Sequence, residues 1–335
     1  MKAMVLDRCR PAEEKPLRLA DLPIPKPGKK EVLVKVSVCG VCHTDLDEAE
    51  GRLRPTKLPI VLGHQVVGTI ADVGKAVSKF SGGERVGITW LYWACGECDF
   101  CKAGRENLCS SAKWTGKDAD GGYAEYMVIE ENYAHKIPER FSDAQAAPLL
   151  CAGVIGYRTL RLAEITDGQK IGLFGFGACA HVLIQVIRHK FPNSEVFVFT
   201  KTAGHAELAK SLGAAWTGQS GDHPPAKLDR VMDFTPAGEC VRDALAVLEK
   251  GGRLVINAIR KETQVPKLDY AEYLWLEKEI KSVANVTRRD AEEFLPLAAE
   301  IPIVPTVEEF ALSEANEVLI SIKRSKLRAA GVLKI

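Results

Sequence analysis

The 335-residue sequence predicts an α/β protein that combines a parallel, doubly wound sheet with a separate β-rich, barrel-like domain. Three observations predict this fold class. Strand and helix patterns alternate after residue 150, as repeated βα units do. Short β-branched runs separated by Gly and Pro dominate the region before residue 150. A glycine-rich turn joins a strand pattern to a helix pattern near residue 175.

The region before residue 150 contains three clear strand patterns, and in the region after it strand and helix patterns alternate. Strand patterns in the first region cover residues 31–38, 65–74 and 121–129. In the second region, after the glycine-rich turn, we expect a helix at 205–214, a strand at 229–235, a helix closed by glycine at 238–252, a strand at 253–259, and helices at 269–279 and 288–300.

Composition and charge exclude several classes of protein. The chain is 46% hydrophobic and 27% charged, and its 45 basic and 44 acidic side chains leave a formal net charge of +1. A nucleic acid or an anionic membrane would favour a strongly basic face, so we expect neither partner. The N-terminus has no apolar core long enough for a signal peptide, and no run approaches the roughly 18 apolar residues of a membrane span. We therefore expect a cytoplasmic protein.

A tight cysteine cluster predicts a structural zinc. In a reducing compartment, ten cysteines favour metal binding over disulfides. The spacing C-x2-C-x2-C-x7-C lets four thiolates converge on one tetrahedral zinc and leaves no open position. Incidental thiols and a redox C-x-x-C pair are alternatives that fit this spacing poorly. The four cysteines are Cys95, Cys98, Cys101 and Cys109.

The glycine-rich turn predicts a dinucleotide site. A short strand, 170–174, leads into G-x-G-x-x-A, and an amphipathic helix follows. Gly175 permits the sharp turn, Gly177 lets the backbone approach a pyrophosphate, and Ala180 keeps helix and strand close. The helix N-terminus adds free N–H groups and partial positive charge. The next strand, "EVFVF", supports this interpretation against an ordinary αβ turn.

A second set of residues has metal-ligand chemistry but no diagnostic spacing. Cys42 lies in "VCGVCHTDLDEAEG", His64 follows Gly63, and Cys151 lies in an apolar run. Taken singly, Cys151 is typical of a small buried hydrophobe and His64 of a structural histidine. Only a fold that brings the three together would give them a shared role.

The whole chain resembles the zinc-dependent medium-chain alcohol dehydrogenases. The segments that carry the resemblance are "CGVCHTD", "GHQVVG", the four-cysteine lobe, "DGGYAEY", "GFGACAH" and "KGGRLV". The resemblance implies a GroES-like catalytic domain over 1–152 with a structural zinc lobe at 90–112, a Rossmann domain over 153–287, and a C-terminal segment, 288–335, that returns to the catalytic domain. It also implies a homo-oligomer, either a dimer or a tetramer.

The resemblance assigns a catalytic zinc, and so two zinc ions per chain. The implied ligands are Cys42, His64 and Cys151, which leave one position open as a catalytic zinc needs. Thr44 matches the family's proton-relay hydroxyl, and Asp45 matches a carboxylate that orients the zinc histidine. The implied reaction moves a hydride between a small primary alcohol or aldehyde and NAD(P)(H).

Further positions follow from the same resemblance. Trp90 matches a substrate-pocket position, where a bulky indole suggests a small substrate, and Trp114 is a further candidate to line that pocket. His43 matches a position that faces the cofactor phosphates, and Arg328 resembles an arginine near the pyrophosphate. A loop histidine, a surface arginine and packed core aromatics are the ordinary alternatives.

Two departures from the family pattern concern the zinc site. The family usually has glutamate where this chain has Gln65, which carries no charge. Many relatives place a histidine where this chain has Asp47, whose carboxylate could accept the proton instead.

Cofactor choice depends on the end of the second strand. An acid there would bind the ribose 2′-hydroxyl of NAD, but the strand ends at Thr200 followed by Lys201. A hydroxyl beside a lysine suits a 2′-phosphate and gives a slight preference for NADP(H), although Lys201 could equally face solvent.

Two alternatives stay open. The same fold and zinc chemistry could act on a polyol, a hydroxy acid or a formaldehyde-type substrate. A non-catalytic nucleotide-sensing or nucleic-acid-binding protein could use the cysteine lobe as a zinc finger, although the charge balance opposes it.

Overall fold

The computed structural model describes residues 1–327 and 329–335. The chain divides into two units: a β-rich unit made of Met1–Cys151 and Asn285–Ile335, and a nucleotide-type unit made of Ala152–Ala284. The boundaries expected from the sequence fall after residues 152 and 287. The predicted fold class is confirmed, because one unit is built on antiparallel strands and the other on a parallel sheet.

The first segment of the β-rich unit is mostly strand. Its elements, in chain order, are β1 (Lys2–Leu6), β2 (Leu17–Asp21), β3 (Glu31–Val41), α1 (His43–Ala49), β4 (Ile60–Val61), β5 (Gln65–Val73), β6 (Arg85–Ile88), β7 (Leu91–Trp93), α2 (Asp99–Lys102), β8 (Lys113–Trp114), β9 (Tyr126–Glu130), β10 (Ala134–Lys136) and α3 (Asp143–Pro148).

The nucleotide-type unit alternates helix and strand, and the chain then returns to the β-rich unit. The alternating elements are α4 (Val154–Ala163), β11 (Lys170–Phe174), α5 (Ala178–Lys190), β12 (Glu195–Phe199), α6 (Ala203–Ser211), β13 (Trp216–Gly218), β14 (Leu228–Asp233), α7 (Glu239–Val247), β15 (Leu248–Ile256), α8 (Tyr270–Tyr273) and β16 (Glu279–Ser282). The returning elements are α9 (Arg288–Glu300), β17 (Val307–Ala311), α10 (Ala315–Lys323) and β18 (Ala330–Lys334).

The main sheet of the β-rich unit has the order β10-β6-β5-β3-β18-β17, and β9 also pairs with β3. Its pairs are antiparallel except β17 with β18. β18 pairs with the end of β3, so that Gly331 faces Val41, and the C-terminal segment therefore lies beside the strand that leads into α1. Buried valines of β3 face this core, as the β-branched pattern predicts.

The nucleotide-type unit contains a parallel sheet with the order β13-β12-β11-β14-β15-β16. The strand order reverses between β11 and β14, which is the crevice where such sheets bind ligands. Apolar β11 and β12 side chains lie in the centre of this sheet; Phe174 and Phe199 stack with their ring centroids 4.0 Å apart.

The predicted helix at 269–279 is wrong over most of its length. α8 spans only Tyr270–Tyr273, and the chain then turns into the edge strand β16. Leu276 and Glu277 adopt φ values of 72° and 62°, which is left-handed backbone and ends a right-handed helix. The helix expected at 238–252 also ends early, at Val247, because its last residues join β15.

None of the helices within 1–327 and 329–335 is both long and apolar enough to cross a membrane.

Candidate metal and nucleotide sites

Three parts of the β-rich unit bring one histidine and two cysteines together. Cys42 follows β3, His64 lies between β4 and β5, and Cys151 lies in a π-helical turn, Leu149–Gly153. Their ligand atoms lie within 4.8 Å of one another, and Cys42 Sγ is 3.5 Å from His64 Nε2. The structure therefore gathers the three residues that single-residue patterns left undecided.

Local hydrogen bonds orient Cys42. It is the N-cap of α1, and its sulfur accepts the N–H of Thr44 at 3.4 Å. In return, the Asp45 carboxylate accepts the N–H of Cys42 at 2.8 Å, which completes a reciprocal capping arrangement. The sulfur thus has a defined direction before any ion binds.

His64 depends on the glycine that precedes it. Gly63 has φ +96°, and a Cβ there would lie 2.4 Å from the ring of Tyr123. Only glycine allows this approach, which brings His64 beside Cys42.

Asp45 fixes the orientation of the histidine ring. Its Oδ1 lies 3.2 Å from His64 Nδ1, and both side chains are buried. Burial lowers the pKa of His64, but the charges of Asp45 and Cys42 outweigh it and raise that pKa well above its ordinary value. With Nδ1 facing a carboxylate, Nε2 faces the thiols as a ligand nitrogen should.

The donor set fits zinc. Bonds of about 2.3 Å to sulfur and about 2.0 Å to nitrogen, at tetrahedral angles, separate the two atoms by about 3.5 Å. The observed Cys42 Sγ–His64 Nε2 distance of 3.5 Å matches this separation. Neither Cys42 nor Cys151 is in a disulfide, so both sulfur atoms are available as ligands. Two thiolates and one imidazole would leave a fourth position for another ligand.

The four-cysteine lobe also fits zinc. The sulfur atoms of Cys95, Cys98, Cys101 and Cys109 lie within 4.8 Å of one another. Cys95 Sγ is 3.9 Å from Cys101 Sγ and 3.5 Å from Cys109 Sγ, against about 3.8 Å for two sulfurs on a tetrahedral zinc. Backbone N–H groups of Glu97 and Cys98 lower the pKa of Cys95 to about 6, so this thiol is readily ionised.

Glu48 is a residue that the sequence analysis missed. It lies on α1 three residues after Asp45 and is fully buried, with both carboxylate oxygens lacking a hydrogen-bond partner among the described residues. Asp45, Glu48 and His64 form a second group whose ligand-type atoms lie within 4.8 Å of one another. The i, i+3 spacing of the two acids, on one helix face, is the signal that was available.

Asp47 and Gln65 lie near the cluster in different settings. Asp47 Oδ1 accepts from Arg52 Nε at 2.5 Å, so its carboxylate is already engaged in an ion pair. Gln65 is buried at the start of β5, opposite Gly40 of β3. Glu48 thus brings a buried carboxyl group to the neighbourhood of His64, whereas Gln65 brings an amide.

Two tryptophans lie beside the metal cluster. The ring centroid of Trp90 is 5.9 Å from that of His64 and 5.4 Å from that of Trp114. The indole nitrogen of Trp90 is buried without a hydrogen-bond partner in the described part of the chain. The two predicted pocket aromatics thus pack against each other, and Trp90 lies next to His64.

The nucleotide-type unit contains the predicted glycine turn. Gly175 has φ +81°, and its N–H donates to the Phe199 carbonyl oxygen at 2.8 Å. A Cβ on Gly177, the N-cap of α5, would meet nothing within 4 Å, so open space lies in front of the helix N-terminus. Ala180 is fully buried against the unit's core. This arrangement has the free N–H groups and the room that a pyrophosphate requires.

The end of β12 carries no acidic side chain. Thr200 follows the strand and accepts, through its hydroxyl, the N–H of Thr202 at 3.5 Å. Lys201 is exposed, and its charge helps to lower the pKa of Glu239, after that residue's own backbone N–H and Thr263. His43, the first residue of α1, is also exposed, while Arg328 lies outside the described residues.

Comparisons with known proteins agree with both units. Residues 28–139 match the family described as "Alcohol dehydrogenase GroES-like domain". The "Probable alcohol dehydrogenase AdhA" of Mycobacterium tuberculosis is 41% identical, over 100% of this chain and 97% of its own. An alcohol dehydrogenase of Geobacillus stearothermophilus is 35% identical, over 100% and 99%. A solved "NAD-dependent alcohol dehydrogenase" superposes with a TM-score of 0.90 at 25% identity, covering all of both chains.

The chain belongs to the zinc-type medium-chain alcohol dehydrogenase family. It is an oxidoreductase of that type, and the alternative of a non-catalytic zinc-finger protein is not favoured.

Proposed function

We propose that this enzyme interconverts small primary alcohols and aldehydes, with zinc held by Cys42, His64 and Cys151. The observation that carries the proposal is the convergence of these three ligands in the β-rich unit with a position left for one more. A zinc ion bound there supplies Lewis acidity to the substrate oxygen.

The chain's own residues would handle the ring and the proton. Asp45 holds His64 by its Nδ1 and keeps Nε2 directed at the metal. Thr44, buried and next to Cys42, is the candidate to take up the hydroxyl proton. Asp47 would be a less available onward acceptor, because its carboxylate is already engaged by Arg52.

A second zinc in the cysteine lobe would be structural. Four sulfurs complete a tetrahedral site without an open position, so this ion would hold the lobe rather than bind substrate. We therefore expect two zinc ions per chain.

The cofactor would bind at the Gly175–Gly177 turn, with a preference for NADP(H). The two residues directly after β12, Thr200 and the exposed Lys201, include no acid, which supports this preference. His43, being exposed, is available for the cofactor phosphates. Two bulky indoles close to His64, those of Trp90 and Trp114, support a small substrate.

We also propose a homo-oligomer located in the cytoplasm. Edge strand β16 pairs with β15 on one side and with no other strand of the described residues. Ile280 within β16 and Trp275 shortly before it are exposed. The free state of all ten cysteines is consistent with a reducing compartment.

A substrate panel tests the function. Zinc-replete protein is mixed with short primary alcohols, branched alcohols, polyols and hydroxy acids, each with NAD⁺ and with NADP⁺, and reduced nicotinamide is followed by absorbance. We expect the highest kcat/KM with short primary alcohols and NADP⁺. Folded, zinc-replete protein that turns over only polyols or hydroxy acids, or none of the panel, would contradict the proposal.

A further inference from the structure

Glu48 is a buried acid for which the reaction described above has no use. It lies on α1, is fully buried, and neither of its carboxylate oxygens has a hydrogen-bond partner in residues 1–327 and 329–335. Burying a carboxyl group without a partner costs several kcal/mol, so such groups are rare in native proteins and call for an explanation.

Trp90 presents the complementary unpaired group. Its indole nitrogen is buried and makes no hydrogen bond of normal geometry among the residues described. An indole N–H can only donate, and a carboxylate can only accept, so the two orphaned groups match in kind. Each would lose its desolvation penalty by bonding to the other.

Both groups lie against the same imidazole. A carboxylate oxygen of Glu48 lies within 4.8 Å of a His64 ring nitrogen, and the Trp90 ring centroid lies 5.9 Å from that of His64. The ring centroid of Trp114 lies 5.4 Å from that of Trp90. The indole thus packs near two other rings, and a hydrogen bond from its N–H would fix its orientation among them.

The electrostatics agree with this pairing. Burial, followed by the charge of Asp45, raises the pKa of Glu48 well above its ordinary value, whereas His64 and the Trp90 indole N–H act to lower it. A protonated carboxyl still keeps an acceptor oxygen, so the indole N–H has a partner whichever form Glu48 takes.

We propose that Glu48 is a positioning residue that accepts the indole N–H of Trp90 and holds this ring as a wall beside the metal histidine, so that it limits the size of the alcohol. The inference rests on the proposed function, because it takes Trp90 as a wall of the substrate pocket. Loss of the acceptor would let the indole rotate and would admit larger substrates.

Three substitutions distinguish the effect of losing the Glu48 acceptor from the effect of changing the Trp90 ring. Glu48→Leu removes both oxygens at similar volume, Glu48→Gln keeps one acceptor, and Trp90→Phe removes the N–H but keeps an aromatic ring. The chain has five tryptophans, so protein labelled with ¹⁵N-tryptophan should give five indole signals, and Trp90→Phe identifies the one from Trp90. We expect Glu48→Leu to move and broaden that signal alone, and Glu48→Gln to shift it while leaving it sharp.

Substrate selection gives the second readout. We expect the ratio of kcat/KM for benzyl alcohol to that for ethanol to rise about tenfold in Glu48→Leu, within the range that pocket contacts control. The ratio should stay within about twofold of wild type in Glu48→Gln. In a Trp90→Phe background, Glu48→Leu should have no further effect, because the donor is already gone.

Controls and contrary outcomes are defined by the same variants. Glu50→Leu, two residues further on and paired with Lys323 instead, should leave the Trp90 signal unchanged. An unmoved Trp90 signal in Glu48→Leu overturns the proposal. If that variant also loses zinc while the signal stays unmoved, Glu48 acts on His64 instead of on Trp90. If Glu48→Leu does not fold, Glu48→Gln decides by whether the Trp90 signal moves. Wild-type protein that oxidises no alcohol defeats the proposed function, while the indole signals still test the Glu48–Trp90 contact.

Discussion

His64 illustrates how single residues prepare the metal site. Glycine before it permits a conformation that any Cβ would block, and Asp45 behind it sets the direction of the ring. The cysteine in front of it is oriented by backbone N–H groups at the start of α1. Each contact is local, but together they define a ligand set before an ion arrives.

Cys42→Ser tests this ligand set. Because serine is a poor zinc ligand, we expect zinc per chain to fall from two to one and kcat/KM to fall by at least about a hundredfold. Elemental analysis and turnover measure the two effects. Cys98→Ser is the matched control, and it should also remove one zinc. Its main effect should be a lower thermal stability, while the protein that stays folded should keep most of its kcat. Full zinc content in Cys42→Ser would rule out this cysteine as a ligand.

His135 predicts an acid-sensitive stability. Burial, with Lys79 and Arg288, lowers its pKa to about 3, against about 6.5 in the unfolded chain. As pH falls below 6.5, His135 takes up a proton in the unfolded state but stays neutral in the native state. The contribution of His135 to the free energy of unfolding is therefore highest above pH 6.5 and decreases progressively towards pH 3. At pH 5 the loss is about 2 kcal/mol.

His135→Gln should remove that part of the pH dependence. We expect the free energy of unfolding, measured by denaturant titration at pH 7 and pH 5, to fall by about 2 kcal/mol less in the variant than in wild type. His189→Gln, at an exposed position of α5, should keep the wild-type slope. Equal slopes in wild type and His135→Gln would show that His135 does not titrate as described.

Elements, rather than single residues, build the nucleotide site. β11 ends at Phe174, the chain turns at Gly175, and α5 begins after Gly177 with open space before its N-terminus. The strand order reverses next to this turn. In the proposed function, the loop between β12 and α6 would decide which ribose substituent is recognised.

Lys201→Ala tests cofactor choice at this loop. If the lysine contacts a 2′-phosphate, its loss should raise the KM for NADP⁺ about tenfold, equal to about 1.4 kcal/mol, and leave the KM for NAD⁺ nearly unchanged. Lys210→Ala, at the end of α6, is the control and should change neither value. Equal changes with both cofactors would assign Lys201 to general attraction instead.

At the scale of the whole molecule, the exposed edge of the parallel sheet points to assembly. β16 is unpaired on its outer side within the described chain, and Trp275 and Ile280 are exposed next to it. An open apolar edge of this kind is usually covered.

Ile280→Asp should therefore shift the mass measured by light scattering towards that of one 36.6 kDa chain, because a buried charge at an interface is costly. Val304→Asp makes the same change at an exposed site of the β-rich unit and should keep the wild-type mass. If wild type already has the mass of one chain, the homo-oligomer proposal is wrong.

The sequence by itself determined the features whose geometry is local. The spacing of Cys95, Cys98, Cys101 and Cys109 limits the four sulfurs to one small lobe, and the structure brings them within 4.8 Å. The strand, glycine turn and helix around Gly175 are likewise set by neighbouring residues. Even so, the helix expected at 269–279 was wrong, because left-handed backbone at Leu276 and Glu277 and pairing of β16 overrode its local pattern.

Only the tertiary structure decided which distant residues meet. Cys42, His64 and Cys151 carry no shared spacing, and packing of β3, β5 and the turn after α3 brings their ligand atoms together. The burial of Glu48 beside Trp90 and His64 was equally invisible, since a glutamate next to alanine on a short helix usually faces solvent. The physical reason is that spacing constrains atoms only over a few residues, whereas the position of remote side chains is set by how strands and helices pack into one core.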